Sequence, residues 1–430
     1  MSAETTAQSP TLIVSKTAQN LIGSEIIKLA GEIKEKIKQG EKIHNLTIGD
    51  FDPKVFPIPT ELRDEIIKAY QSGETNYPEA NGVLELRKAV SGYLKNFGGL
   101  DYTPDQILVS GGARPLIYSI FQTLIDEGDT VIFPVPSWNN NHYTYLSKAK
   151  SIVIETKSEN NFMPTAAELE PYIQGATLIA ICSPLNPAGT IFTKKDLEGI
   201  CDLILAENAR RQPGQKPLYL MYDQIYWALT FGDAVHYDPV NLRPQMRHYT
   251  VFVDGMSKAF AATGVRVGWS FGPPLIIDKM KAILTHIGAW APKAEQVASA
   301  KYLENQDSVK DYIQEIRNRV ERRLVGFHSG FQQLKSEGFE VDSISPQGAI
   351  YLTVKFGIHG QTTQSGEVLE STKDVTKYLL DEAKIALVPF YAFGSSSESA
   401  WYRLSVGTCQ SESIEPMIQS LRSALTKLTK

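Results

Sequence analysis

The chain predicts an α/β protein in which a mostly parallel sheet, covered by helices on both faces, is followed by a smaller α+β unit. Three observations predict it. Short apolar runs, rich in β-branched and aromatic residues, occur at 107–110, 130–134, 151–155, 177–182, 218–222 and 250–253. They alternate with stretches of helical periodicity, which is the pattern of βαβ units. Small or polar motifs follow several runs directly, at the carboxyl ends of strands where such sheets take their ligands.

The bulk numbers bound the answer. A chain of 430 residues can bury a large core and predicts two domains. Hydrophobic residues at 42% and charged residues at 21% are ordinary for a globular protein. A net charge of −5 without any long basic run argues against nucleic acid as a partner. No apolar stretch reaches the roughly 18 residues of a membrane span. The opening MSAETTAQSP lacks the basic-then-apolar order of an export signal. Cys182, Cys201 and Cys409 lack the close spacing of a zinc site or a disulfide framework. The expectation is a cytoplasmic protein with no metal and no membrane partner.

Taken in order, residues before about Ser9 are small and polar and predict a frayed tail. A helix follows over 24–38, with Ile26, Ile27, Leu29, Ala30, Ile33 and Ile37 near helical spacing. Residues 45–49 (NLTIG) predict a short strand entering a proline-rich loop, and 60–72 a second helix. The run 107–110 breaks into Gly111, Gly112, Ala113 and Arg114, then continues as an apolar helix over 116–125. Strand, small residues, helix is an order that aims free backbone N–H groups at an anion; glycines also punctuate helix entries with no ligand. The run 130–134 leads to VPSWNNNHY with Trp138. CSPLNPAGTIF sets Asn186 between two prolines past one strand, and MYDQIYW sets Asp223 and Tyr226 past the next. Beyond Gly272 a helix is predicted over 275–286 and a long helical stretch over 292–335. Second-unit strands are expected at 346–356 and 384–394, with an irregular Gly-, Ser- and Thr-rich loop at 357–372. In WYRLSVG, Arg403 stands mid-strand among apolar neighbours, where a buried cation needs a partner, ordinarily an internal carboxylate.

The stretch 249–272, YTVFVDGMSKAFAATGVRVGWSFG, organises the rest. Lys258 sits where a strand ends, and burial beside other cations can lower such an amine's pKa until it is a Schiff-base nucleophile. Arg266 offers a planar, permanently charged fork for a phosphate. A lone lysine here would ordinarily be a solvated loop residue. The whole string says otherwise.

SKAFAATGVRVGW closely resembles the cofactor-lysine motif of the class I and II aminotransferases, the fold type I family of pyridoxal-phosphate enzymes. Ser257, Lys258, Gly264, Arg266 and Gly268 all fall where that motif has them. The likeness spans residues 43–407, with its motifs in order. It implies a large domain over 59–300, three layers around a mostly parallel seven-stranded sheet. A small α+β domain over 301–430 and an N-terminal segment over 1–58 that packs on it complete the chain. By this resemblance Lys258 holds pyridoxal 5'-phosphate, while Gly111, Gly112, Ala113 and Arg114, with Ser257 and Arg266, cradle the phosphate. Trp138 stacks on the cofactor ring, Asp223 pairs with the pyridine nitrogen, and Asn186 and Tyr226 bond the ring's phenolic oxygen. Arg403 clamps the substrate α-carboxylate, with Gly49 and Asn186 close by. Tyr77, in a pattern with Gly82, Leu86 and Arg87, reaches the phosphate of a neighbouring subunit, which implies a homodimer with composite sites. Two positions depart from the family. Gly255 stands where a second serine often helps hold the phosphate, and Phe390 stands where a glycine is usual near the active-site mouth.

The implied activity is aspartate aminotransferase-like transfer of an amino group from an α-amino acid to a 2-oxo acid, in amino-acid metabolism. Lys258 would move the proton between Cα and the cofactor as general base and acid, and two oxo acids would exchange in ping-pong order. β-Elimination on the same scaffold is the alternative. A non-catalytic ligand sensor is a remote one, since the residues before Ile43 are expected to be too few for a fused DNA-binding domain. For a distal substrate carboxylate, Lys293, Arg114 and His286 are the candidate cations. Trp138, Trp290, Phe390 and Tyr391 could equally line a site for apolar side chains.

Overall fold

The computed structural model describes residues 13–21, 23 and 25–429; the expected frayed tail lies outside them, as does Ser24 at the start of the first predicted helix. Seven strands build the central sheet: β1 (Ile107–Ser110), β2 (Thr130–Val135), β3 (Lys150–Glu155), β4 (Ala176–Cys182), β5 (Tyr219–Asp223), β6 (Thr250–Gly255) and β7 (Gly268–Phe271). Their order in space is β1-β7-β6-β5-β4-β2-β3. All neighbours run parallel except β7, which is antiparallel to both β1 and β6.

Period-two alternation sends each strand's side chains to two different cores. Ile132, Ile179, Ile181, Leu220, Tyr222 and Phe252 enter one, and Val131, Phe133, Leu178, Ala180, Met221, Val251 and Val253 the other. Both faces are apolar, which is why the strands read as continuous hydrophobic runs. Helices Leu84–Gly98, Lys194–Arg210 and Lys293–Glu304 cover the first face, and Ala113–Leu124 and Pro274–Ile287 the second.

A second sheet, antiparallel in the order β10-β11-β9-β8, is built from β8 (Val341–Ser343), β9 (Tyr351–Phe356), β10 (Val388–Pro389) and β11 (Trp401–Ser405). It has its own core, into which the loop residues Leu46, Phe51, Val55 and Phe56 also pack. The long helical stretch divides at Asn305, whose side chain accepts from Ser308 N and caps the helix Gln306–Ser336. The stretch 346–356 becomes strand only from Tyr351, and 384–394 resolves into two two-residue strands and a turn of 3₁₀ helix.

The strand expected over 45–49 is a correction. Only His44–Asn45 is strand, paired in parallel with Ile385–Ala386. The carbonyls that would have continued the ladder accept from side chains instead: Thr47 from Arg403 at 2.6 Å, Ile48 from Ser405 at 2.7 Å and Gly49 from Lys258 at 2.7 Å. Among the described residues no helix is long and apolar enough to cross a membrane, and no group of His, Cys, Asp or Glu could hold a metal ion.

One close approach sets the geometry under Lys258. Gly255 and Gly268 are register partners, and a Cβ on Gly255 would fall 2.7 Å from the Gly268 Cα. A Cβ on Gly268 would in turn fall 2.8 Å from the Gly112 Cα. Three glycines thus let β6, β7 and the entry of Ala113–Leu124 touch backbone to backbone. Gly268→Ala forces that backbone apart and should cost about 2 kcal/mol of unfolding free energy, as overpacking does; urea unfolding monitored by circular dichroism checks it.

Candidate active site

The ends of β4, β5 and β6 open into a cleft of about 620 Å3 whose lining includes Lys258, Asp223, Tyr226, Asn186, Arg266 and Arg403. They arrive from four parts of the chain. Lys258 lies in the short helix Met256–Ala259 after β6, Asp223 closes β5, Asn186 follows β4, and Arg403 comes from β11 of the second sheet.

The Lys258 Nζ donates to the Gly49 carbonyl at 2.7 Å and stands 5.6 Å from the centre of the Tyr226 ring. Burial lowers its pKa from 10.5 to about 8; Asp50 pulls the other way, and Arg403, Arg114 and Arg266 add to the fall. Asp223 accepts from the Ile225 N–H at 3.0 Å, and burial raises its carboxyl to about 6, against that hydrogen bond.

Arg403 is 2% exposed. Its Nη1 donates to Asn186 Oδ1 at 3.0 Å and its Nη2 to the Thr47 carbonyl at 2.6 Å, while Nε is buried without a partner. No carboxylate faces it among the described ion pairs, and the guanidinium lies 4.7 Å over the Tyr351 ring. The internal carboxylate that such an arginine ordinarily finds is absent there, which leaves its remaining N–H groups for an outside anion.

Arg266 adopts a left-handed φ of 58°, costly for a residue with a side chain, and is held by Nη1 to the Thr263 carbonyl at 2.7 Å and Nη2 to the Gly111 carbonyl at 2.8 Å. Gly112, at φ 96°, leaves room for that guanidinium, which a Cβ would overlap. The helix entered here starts at Ala113, earlier than the expected 116, so Ala113 and Arg114, which line the cleft, carry first-turn N–H groups that the helix leaves free. Pro115 has no N–H to leave unsatisfied. Ser257 and Trp138 also line the cleft, with the Arg114 guanidinium 5.5 Å over the Trp138 ring.

Of the singled-out residues, Gly111 and Gly112 act from behind the wall through Arg266. Tyr77 lies elsewhere, 80% exposed and edge-on to Trp290 at 5.2 Å. Gly255 is buried in the ladder against Gly268, where a serine side chain has no space. Of the four aromatic candidates only Trp138 lines the cleft. Phe390, named as a possible lining residue, does not line the cleft; its ring is fully buried against Phe162 at 5.0 Å. Among the candidate cations only Arg114 lines the cleft; Lys293 is bound to Glu74 at 2.9 Å and Asn76 at 2.7 Å, and His286 lies exposed on another helix. Sequence reasoning missed Tyr351, whose hydroxyl lies 2.6 Å from that of Tyr226, and Asp50, which accepts from Thr263 Oγ1 at 2.6 Å. In sequence Tyr351 is one more aromatic in an apolar strand.

The family described as aminotransferase class I and II matches residues 41–421. This chain belongs to it and is an aminotransferase. Its relatives include the aspartate aminotransferase of Bacillus sp. strain YM-2, 29% identical over 90% of this chain and 93% of the relative. A probable aspartate/prephenate aminotransferase of Rickettsia felis is 30% identical over 96% of each. The crystal structure of the aspartate aminotransferase from Rhizobium meliloti superposes with a TM-score of 0.88 at 26% identity, covering 97% of this chain and all of that one.

The lowered Lys258 amine has a direct consequence. The neutral amine is the reactive form, so its acylation by a neutral anhydride should be half-complete near pH 8, against about 10.5 for a lysine with an ordinary value. Peptide-resolved mass spectrometry of the labelled protein over a pH series measures it; a half-point near 10 would contradict the assignment.

Proposed function

We propose that the cleft holds pyridoxal 5'-phosphate on Lys258 and that the enzyme moves amino groups between α-amino acids and 2-oxo acids, dicarboxylic ones foremost. The observation that carries this reading is the charge set: Lys258, Arg114, Arg266 and Arg403 line one cleft with two acids, Asp223 at the end of β5 and Asp50, which is engaged by Thr263. A dianionic phosphate, a substrate carboxylate and one protonated ring nitrogen match that set. The cleft volume suits a ligand of this size. Bound there, the cofactor supplies an electron sink for the charge left on Cα when its proton departs.

The chain's own residues do the rest. The Ala113 and Arg114 amides, the Ser257 hydroxyl and the Arg266 guanidinium hold the phosphate, as a helix N-terminus beside a cation is suited to do. Asp223, its carboxyl raised by burial, is held in its charged form when a pyridinium faces it. Asn186 gives its Oδ1 to Arg403, which leaves its amide N–H groups and the Tyr226 phenol for the phenolic oxygen. Trp138 walls the ring. Arg403 orients the substrate through its α-carboxylate, beside Gly49. Lys258, with an amine that gives up its proton near neutral pH, carries the proton between Cα and the cofactor. The exposed Tyr77, edge-on to the half-buried Trp290, supports a homodimer in which Tyr77 serves the neighbouring site. Three unpaired cysteines are in keeping with a reducing cytoplasm.

Substrate choice rests on Arg114, a cleft-lining guanidinium with no ion-pair partner among the described residues, and on relatives named for aspartate. Its side chain is assigned to the distal carboxylate and its backbone amide to the phosphate.

Two tests follow. Purified protein given pyridoxal phosphate should develop a visible absorbance band that aspartate bleaches and 2-oxoglutarate restores; Lys258→Ala should lose both the band and turnover, and a protein that takes up no cofactor sinks the proposal. Arg114→Leu should raise KM for dicarboxylic substrates by roughly 10- to 100-fold, the worth of one charged hydrogen bond, and leave monocarboxylic ones little changed. Steady-state kinetics with both substrate classes measures the difference.

A further inference from the structure

The sequence does not single out Tyr351, and no step of the proposed chemistry uses it, yet it stands at the junction of the site. Its hydroxyl lies 2.6 Å from that of Tyr226, with the two rings edge to face at 5.6 Å. Both residues are buried, at 1% and 2% exposure, and neither hydroxyl has another hydrogen-bond partner among the described residues. The Tyr351 hydroxyl is backed by Gly49, where a Cβ would fall 2.7 Å away, and the same Gly49 takes the Lys258 amine on its carbonyl. Arg403 lies 4.7 Å over the Tyr351 ring. One phenol therefore touches the backbone that holds the lysine, the arginine assigned to the substrate and the phenol assigned to the cofactor.

A phenol has one proton to give. With the cleft empty, that proton can point either way between the two hydroxyls. Once Tyr226 donates into the cleft, it can only accept from Tyr351. We propose that Tyr351 is a positioning residue that commits the single proton of Tyr226 to the cofactor's phenolic oxygen, by donating its own hydrogen to Tyr226. The inference rests on the cofactor reading given above. A donor that itself accepts a hydrogen bond is a stronger donor, and Arg403 over the ring of Tyr351 draws electron density from that phenol and strengthens the first link. Tyr351 lines the cleft with Tyr226, and in this proposal it acts through Tyr226.

The test is a spectrophotometric pH titration of the holoenzyme, following the visible band of the cofactor on Lys258. A hydrogen bond from Tyr226 stabilises the ionised phenolic oxygen, so weakening it raises the pH at which the band loses its proton. Tyr351→Phe should raise that midpoint by a few tenths of a pH unit, as expected when a cooperative bond of this kind is lost. In a Tyr226→Phe background the same change should have no further effect. A 3-fluorotyrosine at position 351, which keeps the shape and acidifies the phenol, should move the midpoint the opposite way and stands independently of any folding defect in the phenylalanine variant. No shift in either single variant, or an equal shift without Tyr226, overturns the inference while leaving the cofactor reading intact. A wild-type protein with no band overturns the cofactor reading itself.

Discussion

A buried guanidinium with no carboxylate beside it is the constraint on which the rest of this structure depends. Arg403 has lost its water and has received in exchange only a backbone carbonyl and a side-chain amide oxygen. Those neutral acceptors offset part of the desolvation cost and leave Nε unsatisfied. The arginine and its two acceptors come from three separate parts of the chain: β11 of the small sheet carries the arginine, Asn186 follows a strand of the large one, and Thr47 belongs to the segment before both. Holding the cation in place thus requires the two sheets and the N-terminal segment to meet at one point. An anion arriving there completes the set.

The backbone around the cleft is arranged to the same end. Residues 47–49 do not extend a ladder because their carbonyls are occupied by Arg403, Ser405 and Lys258. The glycines at 112, 255 and 268 let three chain segments approach until no side chain fits between them. That contact fixes the end of β6, and so fixes Lys258 relative to Arg266 and the first turn of Ala113–Leu124. Gly255 is best understood in this light. The position is a backbone crossing, and phosphate contacts fall to the amides, Ser257 and Arg266 in the proposed reading.

Electrostatics then distinguish the groups that look alike in sequence. Burial lowers the Lys258 amine and raises the Asp223 carboxyl, moving both toward neutral pH from opposite sides. A lysine that is easily deprotonated and a buried carboxylate that a neighbouring cation would stabilise are the two groups a proton-moving site with a cationic ring would use. Lys293, equally plausible in sequence as a substrate cation, is already neutralised by Glu74.

The sequence by itself determined the fold class and the membership in the aminotransferase family, and it singled out Lys258, Asp223, Asn186, Arg266 and Arg403, which the fold brings to one cleft. All but Arg403, a lone cation in mid-strand, lie at or just beyond strand ends, and strand ends are legible because a change from apolar run to small polar motif is a local signal. Tertiary structure alone decided the rest. Tyr351 and Asp50 carry no local signal, since an aromatic in an apolar strand and an acid in a loop have the same appearance whether or not they face a site. The truncated strand at 45–49 escaped prediction because hydrogen bonds from residues more than 200 positions away took its carbonyls. Phe390 lies in the core and Arg114 in the cleft for the same reason: which of two similar side chains faces a cavity depends on what the rest of the fold brings against it, and periodicity within one segment cannot contain that information.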